Sequence, residues 1–145
     1  MKISTKGRYA LRMLIELGCH AGDSYVSLKE ISESQNISKK YLEQIVPLLT
    51  KSGILRTTRG NHGGYMLAKP ASEITVADVL RATEGSLAPV SCLEQPVNDC
   101  PRADICPTLE LWKGLMRTVE DYLERYSVQD LVDRKLNLGG DDYSI

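Results

Sequence analysis

Three of the chain's four cysteines fall in one short stretch: Cys92, Cys100 and Cys106, with seven and then five residues between them. Thiolates are soft-metal ligands and redox-active groups. The N-terminus, Met1 to Tyr9, is polar and basic rather than shaped like a secretion signal, so the cluster points to metal or redox chemistry before a disulfide framework. Three is also an odd number for disulfides. Cys106 precedes a predicted helix whose N-terminal dipole favours a thiolate, and the prolines after Cys100 and Cys106 bias both toward extended backbone. A thiol pair that forms disulfides, a zinc site completed by a carboxylate, and cysteines without function all stay open beside a larger metal centre. Glu94, Asp99, Asp104 and Glu110 are the oxygen donors nearby. Cys19 sits in an apolar periodic run and reads as core filler.

A second constellation suits a polyanion. The 145 residues carry a net charge of −1, but residues 1–70 hold 11 Lys and Arg against 5 Asp and Glu, and residues 71–145 hold 7 against 14. A basic half is thus joined to an acidic one. On the segment after Asn36, helical spacing turns Lys39, Lys40, Glu43 and Gln44 outward, beside Ser38 and Tyr41. Lys contacts phosphate or guanine, Glu accepts from cytosine N4, and Gln pairs with adenine. An ordinary solvated face with a Lys39–Glu43 pair would look the same. Further on, Arg56, Arg59 and His62 surround glycines, and Gly63 and Gly64 let the backbone approach a groove. Lys2, Lys6, Arg8 and Arg12 suit phosphate contact.

The elements that must position these residues follow from capping and period. Thr5 is expected to cap a first helix in which Leu11, Leu14, Ile15 and Gly18 recur at helical spacing, with further apolar contributions from Tyr9, Met13 and Leu17, ended by Gly22. Ser27-x-x-Glu30 opens a second helix that turns at Asn36, and Ser38 caps a third with Leu42, Ile45 and Leu49 inside and Gly53 as its stop. Pro47 removes an amide that would bond Glu43, which predicts a kink. The period then changes to two, giving strands Ile54–Thr58 and Tyr65–Ala68 around a glycine-rich turn. Thr75-x-x-Asp78 opens a fourth helix to Glu84. Residues 85–107 break every period, and a loop of that length in a compact domain is usually functional. Thr108 is expected to cap a long helix whose apolar stripe, Leu111, Trp112, Leu115, Met116, Val119, Tyr122 and Leu123, needs a partner, economically a second subunit. Ser127-x-x-Asp130 begins a short last helix, and Gly139 to Ile145 reads as a frayed tail.

The fold class expected is mainly α with a small β-hairpin wing: a winged helix-turn-helix over residues 1–84, a cysteine loop over 85–107, and a dimerisation helix with tail over 108–145. The segments Met1-Lys2-Ile3-Ser4-Thr5-Lys6-Gly7-Arg8-Tyr9-Ala10, Tyr41-Leu42-Glu43-Gln44 and Arg59-Gly60-x-x-Gly63-Gly64-Tyr65 carry a resemblance to a known family. They resemble, along nearly the whole chain, the bacterial winged-helix transcription regulators of the IscR, NsrR and CymR type. That resemblance implies a homodimer on palindromic double-stranded operator DNA, with a recognition helix in each major groove, wing arginines in the minor groove, and a C-terminal dimer helix. The cysteine spacing resembles the loop of members that hold an iron–sulfur centre, which implies such a cluster, of the two-iron, two-sulfur kind, on Cys92, Cys100 and Cys106. The sequence departs from the family at the fourth ligand. Leu109 stands where IscR-like members have histidine, Arg8 stands where NsrR-like members have an acidic residue, and the first cysteine spacing is longer than the IscR-like one.

The function expected is regulated DNA binding that senses iron–sulfur status, redox state or nitric oxide. The alternatives are a thiol- or zinc-dependent regulator without a cluster, and a redox or electron-carrier protein. No paired general acid and base, nucleophile triad or nucleotide-binding glycine loop suggests an enzyme. No run reaches the length of a membrane span, which favours a cytoplasmic protein without a membrane partner.

Overall fold

The computed structural model describes residues 2–20, 24–60 and 63–143, with side chains through residue 139. Helices α1 (Thr5–Cys19), α2 (Leu28–Gln35) and α3 (Lys39–Lys51) precede an antiparallel hairpin of β1 (Leu55–Thr58) and β2 (Gly64–Leu67), and α4 (Val76–Glu84), α5 (Leu109–Glu124) and α6 (Val128–Tyr143) follow. The order is that of a winged helix with two further helices. Gly22 and His62, expected at the end of α1 and the tip of the wing, lie outside the described residues.

Capping fixes most helix starts. Ser27 Oγ accepts from the Glu30 amide and Ser38 Oγ from the Tyr41 amide, both at 3.1 Å, while Asn36 ends α2 in the left-handed region at φ 53°. Thr75 and Asp78 form a reciprocal box at α4, and Ser127 and Asp130 form one at α6. The expected cap of α1 is one residue off: Ser4, extended and outside the helix, accepts from the Gly7 amide at 3.2 Å. Ser4 also donates from both its amide and its hydroxyl to Glu84, which ties the start of α1 to the end of α4. The helix α3 runs through Pro47 as one element.

One core cluster joins Ala10, Met13, Leu14 and Leu17 of α1 to Ile31, Leu42, Ile45, Leu49, Ile54, Ile74 and Val79. Each of the Val, Leu, Ile and Met side chains contributes roughly 1.5–3 kcal/mol on burial. The face of α1 centres on Met13, Leu14 and Leu17, with Ala10 fully covered and Leu11 and Ile15 only half-buried, as α1 packs against α4 on one side and α6 on another. The strands start one residue from their expected positions, pairing Leu55 with Leu67 and Thr58 with Gly64.

The C-terminal segment differs most from its periodicity. Instead of a short helix and a frayed tail, α6 extends for 16 residues and lays Val128 and Val132 into the α1 core. Gly18 permits this approach, since a Cβ there would stand 2.7 Å from Val132 Cγ2. Backbone bonds from Val76 to Tyr126 and from Val128 to Ile74, each 2.8 Å, clamp the turn between α5 and α6 onto the start of α4.

Candidate functional site

Helix α3 presents Ser38, Lys39, Lys40, Glu43 and Gln44 to solvent while Leu42, Ile45 and Leu49 fill the core behind them. This is the division that a 3.6-residue period imposes on a capped, amphipathic helix. Tyr41 differs from its neighbours: it is half-buried and packs edge-on against Tyr9, with ring centroids 5.4 Å apart. Across from α3, Arg56 and Arg59 of the hairpin are exposed. Lys39, Glu43, Arg59, Gly60, Gly63 and Gly64 line one groove of about 400 Å³ between α3 and the wing. Residues 16 or more positions apart in sequence are thus assembled into one concave, polar surface.

Two of the wing glycines, Gly63 and Gly64, are required by close packing. A Cβ at Gly64 would stand 2.6 Å from the Val26 carbonyl oxygen, where the Val26 and Tyr65 backbones bond to each other at 2.9 and 2.8 Å. Gly63 is walled by the Thr58 and Gly60 carbonyls and closes the turn with a 2.9 Å bond to Gly60. Of the N-terminal cations, Lys2 is exposed beside a recess lined by Glu84, Ser86 and Glu94 at the start of the cysteine loop. Lys6 is half-buried, and Arg8 is exposed with Nη2 donating to Thr5. Arg12 is occupied by Gln35, to which it donates from Nε and Nη2.

The cysteine loop carries two short 3₁₀ turns, Ser91–Leu93 and Ala103–Ile105, and all three of its thiols are free and half-buried. The Cys100 amide donates to Asn98 Oδ1 at 3.0 Å, while Asn98 Nδ2 is buried without an acceptor among the described residues. Cys106 Sγ lies 3.5 Å from Thr108 Oγ1. The Thr108 hydroxyl and amide, joined by the Leu109 amide and the Arg102 charge, outweigh burial and hold the Cys106 thiol below its ordinary value. Thr108 therefore serves the thiol and makes no side-chain bond to the start of α5, contrary to its expected role as a cap. Among the described residues no three His, Cys, Asp or Glu side chains meet in a ready metal site. The donor set nevertheless suits an iron–sulfur group: three soft thiols on one loop, one of them drawn toward thiolate.

Helix α5 has no buried residue. Leu111, Leu115 and Tyr122 are exposed, Trp112, Met116 and Val119 are half-covered, and Leu123 packs against Val76, Leu80 and Leu87.

Helix α3 with its hairpin wing and the helices that follow have counterparts in known proteins. Residues 3–134 match the family described as Rrf2, iron-dependent transcriptional regulator. The chain belongs to the Rrf2 family. It is 39% identical over 132 residues to protein rrf2 of Nitratidesulfovibrio vulgaris, covering 91% of this chain and 87% of that one. It is 38% identical over 135 residues to the HTH-type transcriptional regulator IscR of Photorhabdus laumondii, covering 93% and 81%. The structure of CymR, the global cysteine regulator of Bacillus subtilis, superposes with a TM-score of 0.74 at 36% identity, covering 92% of this chain and 98% of that one. As an Rrf2-family transcriptional regulator with this fold, the protein is a DNA-binding regulator of the IscR and CymR kind. Among the described residues no helix is long and apolar enough to cross a membrane.

Sequence reasoning missed three participants. Thr108 was read as a helix cap and not as a thiol partner, and neither Asn98 nor Glu16 was singled out. The last is buried by α6, 119 residues away.

Proposed function

We propose that this Rrf2-family protein is a homodimer that reads operator DNA with Ser38, Lys39, Lys40, Glu43 and Gln44 of α3, supported by Arg56 and Arg59 of the wing and by Lys2, Lys6 and Arg8 on phosphates. The observation that supports this reading is the shared groove, which Lys39 and Glu43 of α3 line together with Arg59 of the wing. A hairpin arginine beside a recognition helix can enter a narrow minor groove while the helix occupies the major one. Tyr41 holds the helix in place from behind, and His62, whose residue type suits the same surface, belongs to the wing tip by sequence.

Cys92, Cys100 and Cys106 are the residues that would hold an iron–sulfur cluster, which when bound supplies a centre whose loss or change of redox state can report oxygen, nitric oxide or iron supply. This chain's own part is to offer three thiols on a loop that leads directly into α5, with Thr108 lowering the Cys106 thiol toward the ligating form. Leu111, Leu115, Met116, Val119 and Tyr122 supply the face for a second subunit. A cluster-free thiol regulator is the second reading, favoured by two observations: the thiols do not meet among the described residues, and the fold is shared with CymR.

One experiment separates them. Protein purified without oxygen is assayed for iron, acid-labile sulfide and visible absorption, with Cys→Ala variants at positions 19, 92, 100 and 106. The expected result is a coloured protein whose colour survives only the change at Cys19. Colourless, iron-free protein whose DNA binding is switched by oxidant establishes the second reading.

A further inference from the structure

The buried charged side chain of the described structure is Glu16 of α1, 9% exposed. Burial pushes its pKa up, but hydrogen bonds from Ser34, Lys135 and Gln35 and the Lys135 charge outweigh it and hold the carboxyl below the usual range. Glu16 Oε2 accepts from Lys135 Nζ of α6 and from Gln35 Nε2, the last residue of α2, each at 3.1 Å. His20 Nε2 stands 3.8 Å from the other oxygen. On its far side Gln35 accepts from Arg12, at its carbonyl and, at 3.2 Å, at Oε1. The same guanidinium lies 5.2 Å from the Tyr9 ring centroid, and Tyr9 meets Tyr41 edge-on. The Tyr41 amide in turn donates to Ser38, the cap of α3. Ile15, Leu131 and Leu138 line the groove around this network together with Arg12 and Lys135.

We propose that Glu16 is a positioning residue for DNA reading: it fixes Gln35, and through Arg12 the Tyr9–Tyr41 pair, so that the pose of the first turn of α3 depends on Lys135 of α6 being docked. The proposal rests on the reading of α3 as the recognition helix. Its physical basis is the cost of a desolvated carboxylate. With Lys135 withdrawn, Glu16 is left without its full charge partner, and Gln35 and Arg12 must rearrange to compensate. Residues 125–127 alone join α6 to α5, and α5 follows the cysteine loop. A displacement of the loop or of α5 therefore has a covalent route to Lys135 and a contact route onward to α3, a two-ended coupling that binding measurements can detect.

The test uses full-length Lys135→Met, Lys135→Arg and Glu16→Gln proteins. Each is titrated with a duplex that the wild type enriches from a random-sequence library, and with a scrambled duplex, at one salt concentration. Hydrogen exchange of the free proteins is followed in parallel. Lys135→Met should lose about tenfold on the enriched duplex and less than about twofold on the scrambled one, since its effect passes through base-reading residues. It should also speed exchange at the Tyr41 and Leu42 amides, and Lys135→Arg should restore both. Equal losses on the two duplexes, or unchanged exchange in the first turn of α3, overturns the relay. Glu16→Gln keeps the side chain's size and an acceptor for Gln35, so it carries the same test if Lys135→Met does not fold. Wild-type protein that enriches no duplex overturns the reading of α3 itself, and the exchange measurement still decides the relay.

Discussion

The chain up to Glu84 and the stretch from Gly85 to Glu124 solve opposite problems. In the first, every α-helix has a side-chain cap and an inner face that is fully covered, down to Met13, Ile31, Leu42 and Ile45 at zero exposure. In the second, α5 has no side-chain cap and no buried residue, Leu111 is 62% exposed, and three thiols stand free in the loop before it. The first is a fold complete within the chain, and the second leaves apolar surface and free thiols uncovered among the described residues. The proposed subunit interface and thiol site both fall in that second stretch.

The comparison can be broken most severely at α5. If its stripe is the subunit interface, Leu115→Glu should sediment as a monomer and bind operator about a thousandfold more weakly, since one half-site retains little beyond nonspecific affinity. A Leu115→Glu dimer of normal affinity would place the interface elsewhere. Next in size is a paired truncation. Leu42→Ala should lower unfolding free energy by about 2–5 kcal/mol, whereas Leu111→Ala, measured where the protein is monomeric, should change it by less than about 0.5 kcal/mol. Similar losses from both would show that α5 is already packed within the chain.

Smaller effects sharpen the finished half. Glu43→Ala and Gln44→Ala should each shift base preference by about 1–3 kcal/mol at one operator position. Lys6→Ala should instead weaken all duplexes alike and reduce the salt dependence by about one ion. The smallest contrast compares two caps. Ser38→Ala should cost about 1 kcal/mol, while Thr108→Ala should leave thermal stability nearly unchanged because it caps nothing. Its effect should appear at Cys106 instead. Without Thr108 the lowered thiol pKa rises toward its ordinary value, so less thiolate is present at neutral pH and alkylation slows; an unchanged rate would remove Thr108 from the thiol's environment.

The placement of particular residues shows where the sequence was informative. Ser27, Ser38, Asn36 and the Thr75–Asp78 pair announced their elements because capping is a bond within four residues, readable from spacing alone. The outward face of α3 was readable for the same reason, as were the three cysteines of the loop. Ser4 displaced Thr5 as the α1 cap because Glu84, from another helix, holds Ser4 by two bonds. The full extent of α6 was hidden because its Gly139-Gly140 pair reads locally as a break, while its stability comes from Val128 and Val132 against α1.

What the sequence determined by itself was the identity and order of locally specified elements: capped helices, a hairpin, an exposed polar face on α3, and a thiol-bearing loop before an apolar helix. Short-range hydrogen bonds and the helical period suffice for these. Only the tertiary structure decided that Arg59 shares a groove with Lys39 and Glu43, that Thr108 turns to Cys106, and that Glu16 is buried under Lys135. Each of these depends on packing angles between elements, and burial, unlike capping, is a property that no residue acquires from its neighbours in sequence.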